Sequence, residues 1–409
     1  GETVTLLKDV TEKVSISRNL VLDLNGKTLT GEDLVNSNGK NERIALTANA
    51  GEVKVKNGII DGRVNAYDSA NLTIDADVTV KNSYNDSGYD CFGIVVWGDG
   101  TFGQPNCKTP TLNIYGKVNV AGNNGVAIST NGTDKSKPII NIYDGAEITS
   151  EKCSGIYLPS GALTVSGGTI TGATGIYFKS TDMTISGGKI IGNGAKADYE
   201  FNGNGANTTG DALVIDNCNY PNGIGKVEVT GGNFASMNAK AVGSYAGNGQ
   251  TEPLVGFVTG GLFSSNPNAY VPDTHHVEDS FNGSYPFAVK VGSKTDATII
   301  VTAATNATVS ETIKTEDKAE INKVINNADV DGVATAIRDD KKAAIAKAAG
   351  VTDEQLAGKN VIETEITVKV EAKTADLANG KLTFEASPVA TVKVNGTATG
   401  TTVPVTNDM

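Results

Sequence analysis

Few side chains in this sequence could act on a substrate. Asp216 lies close to Asp211, and Asp198 and Glu200 sit just upstream, inside the glycine- and asparagine-rich stretch 192–210. Two carboxyl groups facing each other across a glycosidic bond would supply the acid and the base or nucleophile of a glycoside hydrolase. Spacing along the chain fixes no distance between them, so Asp216, Asp211 and Glu200 are candidates for catalysis on residue type alone. Cleavage of a polysaccharide by β-elimination asks for something else: a lysine or arginine to take the proton, and a cation or basic group to steady the carbanion. The arginines are Arg18, Arg43, Arg63 and Arg338, all remote in sequence from this region, and Lys179 is the one basic residue expected on the groove floor described below. His275 and His276, the two histidines of the chain, offer either a catalytic or metal-binding pair or simple packing near the end of a fold. The glycine runs lack a following Gly-Lys-Ser/Thr and are turns rather than phosphate loops.

Aromatic residues offer a second kind of chemistry. Tyr157 and Tyr177 stand twenty residues apart in matching contexts, and Trp97 is the single tryptophan. Ring faces exposed along a groove suit sugars, which present C–H bonds on one face and hydroxyls around the edge. The competing reading is that paired tyrosines cover apolar surface between repeats.

The totals narrow the field. With a net charge of −12 the chain repels phosphate backbones, so nucleic acid is not a partner. Anionic polysaccharide would need a local basic patch. The 4 cysteines, Cys91, Cys107, Cys153 and Cys218, contain no C-x-x-C spacing, and neither a metal nor a cofactor is implied. Cys91 and Cys107 flank one loop and would close it if oxidised; idle thiols are the alternative. No apolar stretch is long enough to insert in a membrane as a helix. Gly is 48 of 409 residues and aromatics are 6%, a composition of short strands and tight turns. The chain begins and ends in strand-like sequence, as a trimmed segment would.

The element that must position these residues is a repeat. Gly155-Ile156-Tyr157-Leu158 is followed by Leu163-Thr164-Val165-Ser166-Gly167-Gly168-Thr169-Ile170, and twenty residues on the pattern returns as Gly175-Ile176-Tyr177-Phe178 and Met183-Thr184-Ile185-Ser186-Gly187-Gly188-Lys189-Ile190. The unit extends outward through Leu72-Thr73-Ile74, Leu112-Asn113-Ile114 and Ile140-Asn141-Ile142 on one side, and Val227-Glu228-Val229 and Phe257-Val258-Thr259 on the other. Three short alternating runs per unit, separated by glycine turns, predict a mainly β chain wound as a right-handed parallel β-helix of about nine coils over residues 1–295. The Gly-Gly pairs are expected at positive φ. Asn57, Asn82, Asn123 and Asn193 are expected at turns, with asparagine ladders joining the coils. Alternation places Ile94, Val96, Val126, Ile128, Ile156, Leu158, Ile176, Phe178, Leu213 and Ile215 inward. Two outward columns remain: Val95, Ala127, Tyr157, Tyr177 and Val214, and Trp97, Ser129, Pro159, Lys179 and Asp216. Insertions at 81–92, 98–111, 130–138, 192–210, 217–226 and 243–254 would wall these columns into a groove. Trp97, Tyr157, Tyr177, Lys179 and Asp216 are its expected ligand-binding residues.

The opening Thr3-Val4-Thr5-Leu6-Leu7-Lys8-Asp9-Val10, continued by Leu20-Val21-Leu22-Asp23-Leu24-Asn25-Gly26-Lys27-Thr28-Leu29-Thr30-Gly31, resembles the pectate-lyase-like β-helix family of cell-surface proteins from Gram-positive, often intestinal, bacteria. Gly260-Gly261-Leu262-Phe263-Ser264-Ser265-Asn266-Pro267, running to Tyr270-Val271-Pro272, is similar to that family's closing coil. The resemblance spans residues 1–292. It implies a secreted or wall-attached, modular protein, and a fold rather than a reaction. Residues 1–295 lack both the Arg-x-Pro element of pectate lyases and the Asp-Asp and Gly-His-Gly elements of polygalacturonases.

Residues 296–409 read as a separate, small α+β or sandwich-like spacer. An Ala-rich charged stretch at 315–349 has helical spacing interrupted at Asp331-Gly332, Thr352 opens a further helix, and strands are expected at 362–370, 382–384 and 391–394. Together these features predict a non-catalytic extracellular or cell-wall protein, an adhesin or display stalk that binds glycan or host glycoprotein along its groove. The alternative is a secreted carbohydrate-active enzyme, a glycoside hydrolase before a lyase.

Overall fold

A computed structural model describes residues 1–35, 39, 41–83, 92–122, 125–203, 205–219, 222–292, 298–309, 339–357, 360–376 and 381–405. They fall into two compact units, Gly1–Val291 and Gly292–Met409.

The first unit is a solenoid of short strands in three parallel columns. In the first column Leu20, Val53, Leu72, Leu112, Ile140, Leu163, Met183 and Val227 occupy one register position in successive turns of the chain. In the second, Leu29, Ile60, Val80, Val118, Ile148, Ile170, Ile190, Phe234 and Phe263 do the same. The third aligns Val14, Leu46, Val64, Ile94, Ile128, Ile156, Ile176, Leu213 and Val242. Most of these side chains are fully buried and belong to one continuous core. The period-2 alternation explains why: each strand sends one set of side chains inward, and parallel in-register pairing stacks that set on its equivalents.

The turns follow from residue type. Gly168, Gly188, Gly232 and Gly261, the second member of each Gly-Gly pair, have φ of 76°, 83°, 94° and 110°. Asn57 adopts the expected left-handed conformation, φ 62°, but it bonds Asp23 and Asp77 rather than another asparagine. Asn82 donates to the Phe92 carbonyl, and Asn123 lies outside the described residues. The asparagine ladder forms elsewhere, on the outward side of the first column. Asn141 donates to Asn113 at 3.0 Å, Asn113 to Asn71 at 2.8 Å, and Asn71 to Glu52 at 2.8 Å. There the side chains repeat at the strand spacing, whereas the Asn57 and Asn82 side chains are taken up by the Asp23 carboxylate and the Phe92 carbonyl.

One end of the solenoid closes with an antiparallel hairpin, His275–Asn282 and Tyr285–Val291, laid antiparallel on Leu262–Phe263. His275 bonds Thr274, and His276, mostly buried, lies 3.8 Å from Glu278. The pair therefore belongs to this cap. The opening coil has a half-open cavity of ≈470 Å³ lined by Val4, Leu6, Val10, Ile16, Leu22 and Leu29, among others.

In the second unit, Thr298–Val309 pairs parallel with Val361–Asp376, which pairs antiparallel with Lys381–Val394, itself antiparallel to Thr397–Pro404. Lys381–Val394 is one strand, where the sequence suggested two around Leu382 and Thr391. Ile362, Thr364 and Ile366 are buried while Glu363 and Glu365 face outward, as their alternation requires. Helix α1 (Asp339–Ala348) packs Ile345 and Ala346 onto Ile362, Ile366, Ala390 and Val392. Residues 315–338 lie outside the described residues. Helix α2 (Asp353–Ala357) begins with a reciprocal cap: Gln355 N donates to Thr352 Oγ1 at 3.2 Å, and Thr352 N to Gln355 Oε1 at 2.9 Å.

A Cβ on Gly188 would meet the Gly167 carbonyl oxygen at 2.6 Å in a left-handed backbone, whereas one on Gly283 would meet nothing within 4 Å. Gly188→Ala is expected to destabilise the solenoid by at least about 1 kcal/mol, and Gly283→Ala to leave it unchanged. Thermal unfolding of both variants checks this. Equal midpoints would show that the turn conformation is not a constraint.

Candidate functional site

The third column carries the residues singled out for chemistry. Its strands Ser154–Leu158, Thr174–Phe178, Leu213–Asn217 and Val242–Ala246 lie side by side. Tyr157, Tyr177 and Val214 align in one outward column as expected. The coil before them differs. Ser129, not Ala127, pairs with both Val95 and Tyr157, and Ala127 is buried in the core. Ala127 precedes the inward Ile128, as Gly93 precedes Ile94 and Gly155 precedes Ile156; the strand start takes a small residue that packs inward, so simple alternation fails there.

The larger correction concerns exposure. Tyr177, Lys179 and Asp216 were expected on an open groove floor, and all three are fully buried. The segment between Gly192 and Leu213 lies over them. Its Tyr199 hydroxyl donates to Asp216 Oδ1 at 2.7 Å, while Tyr177 donates to Oδ2 at 3.0 Å. Lys179 Nζ donates to the carbonyls of Asn202 and Gly205, the latter at 2.6 Å, and lies 3.8 Å from Asp216 Oδ2. Three rings surround the ammonium at 5.6–5.9 Å: Tyr157, Tyr177 and Phe201. Tyr157 and Tyr177 meet edge to face, 6.1 Å apart with planes at 65°, and do not present parallel faces to solvent.

Asp211 belongs to a second half of the same arrangement. Its Oδ2 accepts from Tyr245 at 2.6 Å and its Oδ1 from the Lys240 amide at 2.9 Å. Tyr245 stacks on Tyr199 with centroids 4.8 Å apart and planes 3° apart. The stacked tyrosine pair thus links the two buried carboxylates. Glu200 is exposed, and its backbone carbonyl accepts from Asn207; Asp198 is exposed as well. The catalytic candidates are therefore divided: Asp211 and Asp216 are buried and engaged by tyrosines, and Glu200 is exposed on the segment itself.

A buried charge survives only with compensating partners, and each partner leaves its mark on titration. Burial pulls Lys179 below its ordinary range, and Asp216, then Cys218, partly hold it up. Burial, then Asp216, pushes Tyr177 far up; burial with the Asp216 hydrogen bond does the same to Tyr199, and burial with Asp211 to Tyr245. These phenols stay protonated beyond the ordinary tyrosine range, and two of them, Tyr177 and Tyr199, occupy both carboxylate oxygens of Asp216.

Sequence reasoning missed Tyr199, Phe201 and Tyr245. A signal existed. Tyr199-Glu200-Phe201 alternates aromatic, acidic, aromatic inside a loop otherwise rich in glycine and asparagine, and such a pattern asks for one face to be covered.

Trp97 has a different fate. It remains 41% exposed, one coil above Tyr67 in the same column, with ring centroids 6.4 Å apart and planes at 81°. Phe102, in the loop that follows, is 57% exposed. Cys107 lies in the same loop, its Sγ 3.7 Å from the Ser136 carbonyl; Cys91, with which it would close the loop if oxidised, lies outside the described residues. Among the described residues no three His, Cys, Asp or Glu side chains converge as a metal site, and no helix is long and apolar enough to cross a membrane.

Comparison with protein-family profiles, curated proteins and solved structures finds no match to this chain.

Two outcomes are expected of the buried cluster. Lys179→Met should free the overlying segment, so that trypsin cuts after the exposed Lys196 at least several times faster than in the parent; unchanged cleavage would show that the clamp does not hold it. Asp216→Asn should cost about 3–5 kcal/mol, because it strands a buried ammonium, read as a lowered unfolding midpoint. The pH dependence has a definite sign. Tyr177 is raised in the fold, so above about pH 10 the unfolded chain loses phenolic protons that the folded chain keeps, and stability falls as pH rises, by roughly 1.4 kcal/mol per pH unit for this residue. Lys179, lowered from 10.5, acts in the opposite sense below that pH. Tyr177→Phe should flatten the alkaline decline, and an unchanged slope in a urea series would contradict the assignment.

Proposed function

We propose that this chain is the non-catalytic β-helix and spacer of a bacterial cell-surface protein, an adhesin or display stalk, and that it binds glycan along the outward face of its third column. One observation carries the reading. Of the residues that could perform glycoside hydrolysis or β-elimination, Asp216, Asp211 and Lys179 are buried and tied to tyrosines and backbone carbonyls, which leaves the exposed Asp198 and Glu200 on the covering segment without either of them as an accessible partner, while Trp97 and Phe102 stay accessible. A catalytic carboxyl pair must reach both sides of a scissile bond, and a carboxylate accepting two phenols beneath a covering segment does not.

The parallel columns support a right-handed winding, the hand that parallel strand crossovers take, in about nine coils. The opening and closing segments support membership of the pectate-lyase-like family of Gram-positive surface proteins. The four-stranded second unit would then serve as the spacer that holds the β-helix away from the wall, which makes the protein extracellular or wall-attached.

The test is a glycan array probed with the full chain and with Trp97→Ala, accompanied by assays for new reducing ends and unsaturated products on every glycan bound. Binding without product, lost in Trp97→Ala, is the expected result. Product whose release stops in Asp216→Asn would replace this reading with a glycoside hydrolase. Silence on every glycan would remove sugar binding and leave the display stalk.

A further inference from the structure

The surface around Trp97 allows the ligand class to be narrowed, on the premise that the third column binds sugar. Tyr67 and Trp97 are paired across adjacent strands, and the edge-to-face contact at 6.4 Å fixes the orientation of the indole. Asp68 follows Tyr67 directly and is held at φ 50°. Its carboxylate meets Lys108 Nζ at 3.3 Å, both side chains being nearly half exposed. Lys108 is in turn anchored beside Trp97. Its backbone exchanges two hydrogen bonds with Asp99, at 2.8 and 3.0 Å, and the Gly98 amide between Trp97 and Asp99 donates to the buried Asp134 at 2.7 Å. The ring is thus oriented and accessible, and the Asp68–Lys108 pair is tied to its surroundings through the backbone, Asp68 next to Tyr67 and Lys108 bonded to Asp99, two residues after Trp97.

Among the described residues nearby, positive charge is not in excess. Lys108 is matched by Asp68, and Lys137, which lies 5.0 Å over the Phe102 ring, is matched by Asp182 at 2.6 Å. The exposed Lys135 has the exposed Asp99 as its counterpart in number. This is not the local basic patch that an acidic polysaccharide would require against a net charge of −12. An aromatic face with a neutralised carboxylate–ammonium pair at its edge matches an uncharged pyranose: ring C–H bonds over the indole, one hydroxyl donating to Asp68 and one accepting from Lys108.

We propose that Tyr67, Asp68, Trp97 and Lys108 form a subsite for a neutral hexopyranose. Because the chain has 1 tryptophan, its intrinsic fluorescence reports on this site. The probes are hexasaccharides of glucose, mannose, galactose and N-acetylglucosamine, with a galacturonate hexasaccharide as the acidic comparison. At least one neutral probe should shift Trp97 emission saturably, with little dependence on salt, as expected for binding without net charge. Lys108→Met should weaken that binding on the order of tenfold, and Asp68→Asn, chosen because asparagine tolerates the left-handed backbone, on the order of fivefold. Unchanged unfolding midpoints would show that both variants keep the fold. A response to the galacturonate probe alone, a neutral response that both variants leave intact, or no response from any probe overturns the subsite. The glycan array separates the two levels. Array binding with silent Trp97 fluorescence sinks the subsite and spares the wider reading, whereas a silent array sinks both.

Discussion

In-register parallel stacking of inward side chains is the constraint from which the rest of the first unit follows. Each coil buries its apolar residues only against the coils beside it, so a coil has no stable form alone. A slip of one residue would turn every inward side chain outward. Leu163, Met183 and Val227 in one column, Ile170, Ile190 and Phe234 in the next, and Ile156, Ile176 and Leu213 in the third cannot be shifted independently, because the same chain segment feeds all three. The left-handed glycines and the Asn71–Asn113–Asn141 ladder are consistent with this constraint and reinforce it.

That rigidity determines what the outward face can become. The third column projects a tyrosine, a lysine and an aspartate from neighbouring strands toward one place. Left open, they would resemble a catalytic floor. The Gly192–Leu213 connection brings Tyr199, Phe201 and two carbonyl oxygens onto them, and the polar groups satisfy one another. In low dielectric such a network is costly if any member is missing and rigid when complete. The same residue types therefore serve as a fastening, and the accessible aromatic surface moves along the column to Tyr67 and Trp97.

Much of the fold was legible because the signal repeats. The return of Gly155-Ile156-Tyr157 as Gly175-Ile176-Tyr177 establishes the period, and alternation then assigns the inward residues correctly from Ile156 to Ile215. It misassigned Ala127 because a small residue before Ile128 packs inward, a departure from strict period 2. The candidate site was legible in its parts and not in its state. Tyr177, Lys179 and Asp216 do converge, as column spacing implied. Their burial depends on where a twenty-residue insertion comes to rest, and no periodicity encodes that. Single-residue cues such as Tyr199 and Phe201 become interpretable once a buried ammonium is seen to need a cover. In the second unit, Thr352 and Gln355 announced their cap by spacing alone, whereas the continuity of Lys381–Val394 depends on pairing with a distant strand.

The central claim is that Lys179 and Asp216 are sealed under a closed segment. Amide hydrogen exchange tests it most directly. The Ala197, Thr209, Asp211 and Ala212 amides donate to Thr209, Thr174, Thr209 and Lys240 respectively. If the segment is part of the folded solenoid, the Thr209 and Ala212 amides exchange as slowly as that of Ile176 in the strand beneath. Exchange at Thr209 orders of magnitude faster than at Ile176 would mean that the segment opens on its own, returning Lys179 and Asp216 to solvent and to the chemistry that their burial denies them.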